Sequence, residues 1–272
     1  MPVRPGRQGP GDCGGARKVI ARVFENLRRR GELALVPYLT AGFPSERVFL
    51  EDLRRVADSG ADLIEIGVPF SDPIADGPTI QFASHRALQA GFRLEDLFDV
   101  LRDVELRPPL VFMSYLNPLI AFGRERLLAA MRQSRVAGLI VPDLPAEEAD
   151  DWLAAARAHG IVLAFLAAPT SGEARLQQIA ARTDGFVYAV SLTGTTGMRA
   201  TLADGLPEFL GRIRRHTQRP VVVGFGISQP QHVRALRGLA DGAVVGSRII
   251  EAIRAGEDLA VLVRALKQAT RS

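Results

Sequence analysis

The sequence is poor in the residues that build disulfide frameworks and cysteine-rich metal sites. Its 272 residues include one cysteine, Cys13, and four histidines. A single cysteine cannot form a disulfide within the chain, and it leaves a cysteine-rich metal site without ligands. This composition fits a reducing compartment, so we expect a cytoplasmic protein rather than a disulfide-stabilised secreted one.

Long hydrophobic runs and clusters of positive charge are also missing. No apolar stretch reaches the length of about 20 residues that a transmembrane helix needs. Residues 1–15 lack the apolar segment of a secretory signal, so they are predicted to be a disordered tail. The net charge is only +4, and arginines are scattered along predicted helices. We therefore expect no nucleic-acid partner, although a basic surface would also attract anionic phosphate substrates.

What the chain has in abundance is a regular alternation of short apolar runs and helical patterns. Apolar residues make up 47% of the sequence. A first helical pattern covers residues 16–30, and eight continuous apolar runs follow it, as is typical of parallel strands buried on both faces. These runs cover residues 33–39, 63–66, 110–113, 138–141, 162–166, 186–190, 221–223 and 243–245.

Helical patterns separate these runs, and several of them end at glycine. Gly60, Gly91 and Gly160 lie where a left-handed residue commonly ends a helix. Eight strand–helix units without a break in composition predict an α/β fold, a single (β/α)8 TIM barrel with an extra N-terminal helix over residues 16–272. An open doubly wound sheet is the alternative, but it would not need eight similar units.

The end of the second predicted strand carries a carboxylate. Side chains alternate along a strand, so Glu65 shares one face with Leu63 and Gly67, while Ile64 and Ile66 face the helices. Glu65 is therefore predicted to point into the barrel near the strand's carboxyl end, where such folds place catalytic groups. A buried carboxyl group can exchange protons near neutral pH, but a Glu–Arg pair at the rim is an equal alternative.

Two other groups of residues follow strand ends. The proline-rich loop over residues 68–78 adds Asp72 and Asp76, either of which could also serve only to form a turn. Glycine-rich turns follow the sixth, seventh and eighth predicted strands, at residues 191–197, 224–228 and 246–247. Glycines and a helix N-terminus allow backbone N–H groups to approach an anion, so these three turns together predict a phosphate site.

These segments closely resemble the motifs of tryptophan synthase alpha subunits. The residues that carry the resemblance are 65–81, 113–119 (MSYLNPL), 141–145 (VPDLP), 168–171 (APTS), 193–197 (TGTTG), 224–228 (GFGIS) and 242–247. The resemblance implies a lyase of tryptophan biosynthesis that splits indole-3-glycerol phosphate into indole and glyceraldehyde 3-phosphate. It also implies a beta-subunit partner in an alpha2beta2 heterotetramer, contacted through the loop over residues 69–78 and the turn over residues 117–119.

The resemblance implies roles for individual residues. Glu65 matches the catalytic glutamate, and Asp76 matches the aspartate that holds the indole N–H. The phosphate would be bound by Gly197, Gly226, Gly246 and Ser247. Tyr188 would lie near the glycerol chain, and the walls of the indole pocket would include Tyr38, Ile80, Met113 and Phe225.

The chemistry of this reaction suits two carboxylates without a metal or an organic cofactor. C3 of the indole ring must gain a proton, which places positive charge on the ring nitrogen, and Asp76 can stabilise that charge. A side-chain hydroxyl must then lose its proton, and Glu65 can both give the first proton and take the second. Departures from the family pattern at Tyr38, Ser114, Leu116 and Leu192 do not touch these two carboxylates.

Three alternatives remain at this point. A stand-alone indole-glycerol-phosphate lyase would share every site residue and would release free indole. Another phosphate-binding barrel would explain the glycines but not the loop over residues 68–78. A catalytically silent barrel that serves as an allosteric partner would not need Glu65 and Asp76. The four histidines are expected to have surface or packing roles.

Overall fold

The computed structural model describes residues 15–190, 205–224 and 226–271. The predicted tail lies outside these residues except for Gly15, which is the first residue of a helix rather than the last of the tail. The strands are β1 Ala34–Thr40, β2 Ile64–Gly67, β3 Leu110–Met113, β4 Val136–Ile140, β5 Val162–Ala164, β6 Leu166–Ala167, β7 Val187–Val190, β8 Val221–Gly224 and β9 Gly242–Val245.

Helices surround the strands and follow them in sequence. They are α1 Gly15–Arg30, α2 Glu46–Asp58, α3 Pro78–Gln89, α4 Leu94–Arg102, α5 Leu116–Phe122, α6 Arg124–Gln133, α7 Asp150–Ala158, α8 Glu173–Arg182, α9 Leu206–Arg214, α10 Pro230–Ala235, α11 Ser247–Ala255 and α12 Leu259–Ala269, with a short 3-10 helix at Ala146–Glu148. Across the described ranges, no helix is long and apolar enough to cross a membrane.

The nine strands form one parallel sheet in the order β5-β4-β3-β2-β1-β9-β8-β7-β6. The sheet begins and ends with β5 and β6, which are the two halves of the predicted fifth strand, separated at Phe165. Because β5 pairs with β4 and β6 pairs with β7, this one segment joins both edges of the sheet. The predicted eight-stranded barrel is thus confirmed, with its fifth strand divided between two neighbours.

The core has two layers, as the alternation along the strands requires. One layer fills the barrel and includes Leu63, Val111 and Val222. The other lies between strands and helices and includes Ile64 and Ile66. The predicted division of β2 into an inward and an outward face is therefore confirmed.

Helix α1 closes the end of the barrel at which the strands begin. Its buried apolar residues belong to the interior layer, and Phe24 packs on Phe186 with ring centroids 5.9 Å apart. Asp184, which is fully buried just before β7, accepts from Arg17 of α1 and from Arg157, each at 2.9 Å. The opposite end of the barrel, where the strands finish, is left for the site.

Two helices were absent from the sequence prediction. Helix α3 begins at Pro78 and buries mainly small residues, Ala83 and Ala87, so its apolar pattern is weak. Helix α5 has only seven residues and one buried apolar side chain, Leu119. The predicted glycine ends are confirmed, since Gly60, Gly91 and Gly160 all have positive φ angles.

Candidate active site

A cavity of about 350 Å³ opens at the carboxyl ends of the strands. It receives residues from β1, β2, β3, β7 and β9 and from the loops that follow β2, β8 and β9. It brings together the predicted site residues that the structure describes, namely Tyr38, Glu65, Asp76, Ile80, Met113, Tyr188, Gly226, Gly246 and Ser247. Gly197, Phe225 and Leu192 lie outside the described residues.

Glu65 lies on β2 and is 2% exposed. The Tyr188 hydroxyl donates to its carboxylate, while Oε2 is buried and has no hydrogen-bond partner in the described part of the chain. Burial raises the pKa of Glu65 to about 8, the nearby Asp76 carboxylate adds to the rise, and the Tyr188 hydrogen bond opposes it. Glu65 therefore holds a proton at neutral pH and presents one free oxygen inside the barrel.

Asp76 is partly buried in the loop between β2 and α3. The Tyr115 hydroxyl donates to its carboxylate and accepts from the Ala75 backbone N–H at 2.8 Å. The Gln81 side-chain amide donates to the Asp76 carbonyl oxygen at 2.8 Å. Burial raises the pKa of Asp76 to about 6, against the effect of Tyr115. At neutral pH this carboxylate is therefore ionised while Glu65 is not.

Inside the barrel, each of two tyrosines packs against a glycine of the next strand. A Cβ atom on Gly67 would come within 1.8 Å of the Tyr38 hydroxyl, and one on Gly224 within 2.3 Å of the Tyr188 hydroxyl. Only glycine fits at these two positions. Burial raises the pKa of both phenols well above their ordinary value, so both stay neutral and can donate hydrogen bonds near the carboxylates.

The other end of the cavity is built from backbone. The turn after β8 contributes Gly226, whose φ is +77°, together with Ile227 and Ser228. Helix α11 begins at Ser247 with Gly246 as its N-cap, and its first N–H groups have no partner within the helix. A Cβ on Gly246 would come no closer than 3.6 Å to Tyr38, so the protein itself leaves room there. This end is suited to an anion.

Sequence reasoning missed Tyr115, although it lies within the MSYLNPL motif directly after β3. Its role depends on a hydroxyl that reaches the loop 40 residues away, and no local pattern reports such a contact. The local pattern also did not separate Asp76 from Asp72, although the family resemblance named Asp76. Asp72 is exposed and does not line the cavity, whereas Asp76 does.

Comparisons with known proteins agree with this geometry. The family model described as tryptophan synthase alpha chain matches residues 24–271. The tryptophan synthase alpha chain of Roseiflexus sp. (strain RS-1) is 50% identical over 237 residues, which cover 86% of this chain and 91% of that relative. The alpha chain of Chloroflexus aurantiacus is 47% identical over 85% of this chain and 88% of its own length.

A solved structure supports the same assignment at the level of the fold. A chain of Mycobacterium tuberculosis tryptophan synthase superposes with a TM-score of 0.88 and 34% identity, over 93% of this chain and 98% of that one. The residues matched by the family model include every described strand. The chain therefore belongs to the tryptophan synthase alpha chain family.

Proposed function

We propose that the cavity cleaves indole-3-glycerol phosphate to indole and glyceraldehyde 3-phosphate, with Glu65 as the proton-transfer residue and Asp76 as the carboxylate that faces the indole N–H. Membership of the family makes the chain a lyase of tryptophan biosynthesis. The residue roles rest on one observation, which is that a single cavity holds a protonated Glu65 and an ionised Asp76.

The first step needs an acid. Glu65 carries a proton at neutral pH because burial raises its pKa to about 8, and its Oε2, which has no hydrogen-bond partner among the described residues, lies inside the barrel. In our proposal it transfers this proton to C3 of the indole ring. The ionised Glu65 then accepts the proton of the side-chain hydroxyl as the carbon–carbon bond breaks and the aldehyde forms, so that the residue ends the cycle protonated.

The second carboxylate acts by charge. Protonation at C3 places positive charge on the ring nitrogen, and an ionised Asp76 beside the N–H stabilises that charge as it develops. The Tyr115 hydroxyl, which also holds Ala75, fixes where this carboxylate lies. The difference between the two pKa values assigns one carboxyl group as the acid and the other as the counter-ion.

The phosphate belongs at the backbone end of the cavity. In our proposal it is bound by N–H groups of the turn at Gly226 and of the α11 start at Gly246 and Ser247. The proposal also includes Gly197 at the phosphate and Phe225 in the wall of the indole pocket, both of which lie outside the described residues. A phosphorylated substrate does not cross membranes unaided, so we place the reaction in the cytoplasm.

We further propose that the chain works with a tryptophan synthase beta subunit in a heterotetramer, as the family name implies. Several residues of the two segments predicted to contact the beta subunit are not free to do so. Pro69 is buried, Phe70 packs on Tyr115, and Leu119 of the predicted 117–119 turn is fully buried in α5. Two large apolar side chains remain exposed for a partner to cover: Ile74 in the first segment, 84% exposed, and Ile120 directly after the second, 58% exposed.

Indole release from indole-3-glycerol phosphate, by the chain alone and with the beta subunit of the same genome, tests this function. We expect slow release by the isolated chain and faster release with the partner. Vigorous release by the isolated chain, with no complex at micromolar concentration, would instead favour a stand-alone lyase. Absence of release in both conditions would favour a silent barrel.

A further inference from the structure

The turn after β8 contacts a buried histidine that the proposed mechanism does not use. His232 lies in α10 and is 3% exposed. The other histidines fit the expected surface roles, since His85 is exposed, His159 pairs with Glu125 at 3.0 Å and His216 pairs with Glu173 at 2.8 Å. The His232 ring instead contacts the backbone of the turn between β8 and α10, at Ser228.

The imidazole ring is fixed by a hydrogen bond at one nitrogen. Nδ1 of His232 accepts from the Ser228 backbone N–H at 3.3 Å, and the Ser228 Oγ lies 3.5 Å from the same atom. Because Nδ1 is the acceptor, the proton of the neutral ring is on Nε2. Nε2 is buried and has no hydrogen-bond partner within the described ranges. The ring thus bears the desolvation cost of one nitrogen while it makes a bond with the other.

The position of His232 in its helix explains the contact. Gln229 is the N-cap of α10 and Pro230 is the first helical residue, so His232 is the third. A glutamate or glutamine at this third position commonly reaches back to a backbone N–H at the helix start. Here an imidazole does so and reaches one residue further, to Ser228. The bond ties the helix to the turn over residues 226–228, which lines the cavity.

We propose that His232 is a positioning residue for the phosphate end of the cavity, because it holds the turn over residues 226–228 against α10. This inference rests on the proposed function. One consequence is that the Ser228 N–H is already used by His232, so the anion is bound by other N–H groups, at Gly226, Ile227 and the start of α11. His232 does not touch the substrate in this arrangement.

Two variants of similar size separate an acceptor from a packing role. His232→Asn places a polar atom on Cγ, where histidine has Nδ1, while His232→Leu offers no acceptor. We expect the leucine variant to raise KM for indole-3-glycerol phosphate about tenfold and to change kcat less than about twofold, since it removes binding rather than chemistry. The asparagine variant should keep KM within about threefold of wild type. The inhibition constant of inorganic phosphate should follow KM.

Val233→Ala is the matched control, because Val233 is fully buried in the same helix and makes no contact with the turn through a polar atom. It should lower Tm and leave KM unchanged. Equal increases in KM for Val233→Ala and His232→Leu, or an asparagine variant no better than leucine, would overturn the proposal and leave His232 as packing.

Measurements on the wild-type chain keep the inference testable if the leucine variant does not fold. Nitrogen NMR of His232 should show an unprotonated Nδ1 and a protonated Nε2, and both signals should move when inorganic phosphate is added. Signals that do not move at saturating phosphate would overturn the positioning role alone. A wild-type chain that neither binds phosphate nor cleaves the substrate would overturn the proposed function and, with it, this inference.

Discussion

At the scale of single residues, Glu65 links activity to stability. Its pKa is about 8 in the folded chain against an ordinary value of 4.5. Between these values the folded chain keeps a proton that the unfolded chain has lost, so stability falls as pH rises from about 4.5 to 8. Each pKa unit corresponds to about 1.4 kcal/mol, and the ionised group therefore opposes folding by a few kcal/mol at alkaline pH.

Glu65→Gln keeps the shape of the side chain and removes its acid–base capacity. One acid–base group typically contributes about 10²–10⁴-fold to the rate. Because Glu65 serves both proton transfers, we expect kcat to fall by the upper end of this range or more. The variant should also have a higher Tm than wild type at pH 9, while the two should converge near pH 4. Steady-state kinetics and thermal unfolding at both pH values check this. Turnover close to wild type would contradict the role.

The two carboxylates also set the pH range of the reaction. Activity needs an ionised Asp76, whose pKa is about 6, and a protonated Glu65, whose pKa is about 8. We expect kcat/KM to rise through about pH 6, reach a plateau near pH 7 and fall through about pH 8. Asp76→Asn keeps Glu65 buried but removes the nearby charge that adds to the rise of its pKa, so the alkaline limb of the variant should move to lower pH. If Asp76→Asn keeps measurable activity and its alkaline limb does not move, the coupling between Asp76 and Glu65 is contradicted.

At the scale of elements, the site depends on contacts between neighbouring strand ends. The Tyr115 hydroxyl after β3 holds the loop after β2 at Ala75 and Asp76, and Asp143 after β4 accepts from the Leu116 N–H at 2.8 Å. Three successive connections are thus joined side by side. Helices α3 and α5 begin within this network, α3 in the connection after β2 and α5 in the connection after β3.

Tyr115→Phe removes one hydroxyl and keeps the ring that packs on Phe70. A hydrogen bond to a charged group is worth about 1.5–3 kcal/mol, so we expect kcat/KM to fall about 10- to 100-fold. Tm should fall by several degrees, because Asp76 and the Ala75 N–H lose their partner while the apolar contacts of the ring remain. Phe70→Leu is a control for the ring contact alone. A Tyr115→Phe variant with unchanged kcat/KM would show that Asp76 keeps its position without the hydroxyl.

At the scale of the whole molecule, exposed apolar side chains on the segments that we propose as the partner interface can be tested directly. Ile120→Asp places a charge on α5, and we expect it to abolish association with the beta subunit and the activation that follows from it. Release of indole by the isolated variant should stay at the wild-type level. Val261→Asp on α12 is the matched control, since Val261 is 57% exposed and Ile120 58%. Sedimentation with the beta subunit measures association, and steady-state kinetics with it measure activation.

An outcome in which both aspartate variants bind the partner normally would move the interface away from α5. One in which Val261→Asp alone fails to bind would place it at α12 rather than on the segments that we propose. Coupling between subunits is typically about 1–3 kcal/mol, so the loss of activation should lie between several-fold and about a hundred-fold.

The sequence by itself determined the order of the strands and the direction of Glu65. Both follow from local rules, because eight apolar runs separated by helices close into a barrel and because side chains alternate along a strand. The motif over residues 65–81 determined the family. The sequence also predicted cavity residues in two ways. Glu65 and the glycine turns follow from strand ends that a parallel barrel must bring together, whereas Tyr38, Ile80, Met113 and Tyr188 came only from the family resemblance.

Only the tertiary structure decided which of these groups can do chemistry. Burial and the nearby Asp76 carboxylate raise the pKa of Glu65 above that of Asp76, and neither effect is visible in the chain's local pattern. The division of the fifth strand between β4 and β7, the reach of Tyr115 to Ala75 and the burial of His232 beside Ser228 are likewise products of packing. A local pattern predicts where a side chain points, but the neighbours that it meets come from distant parts of the chain.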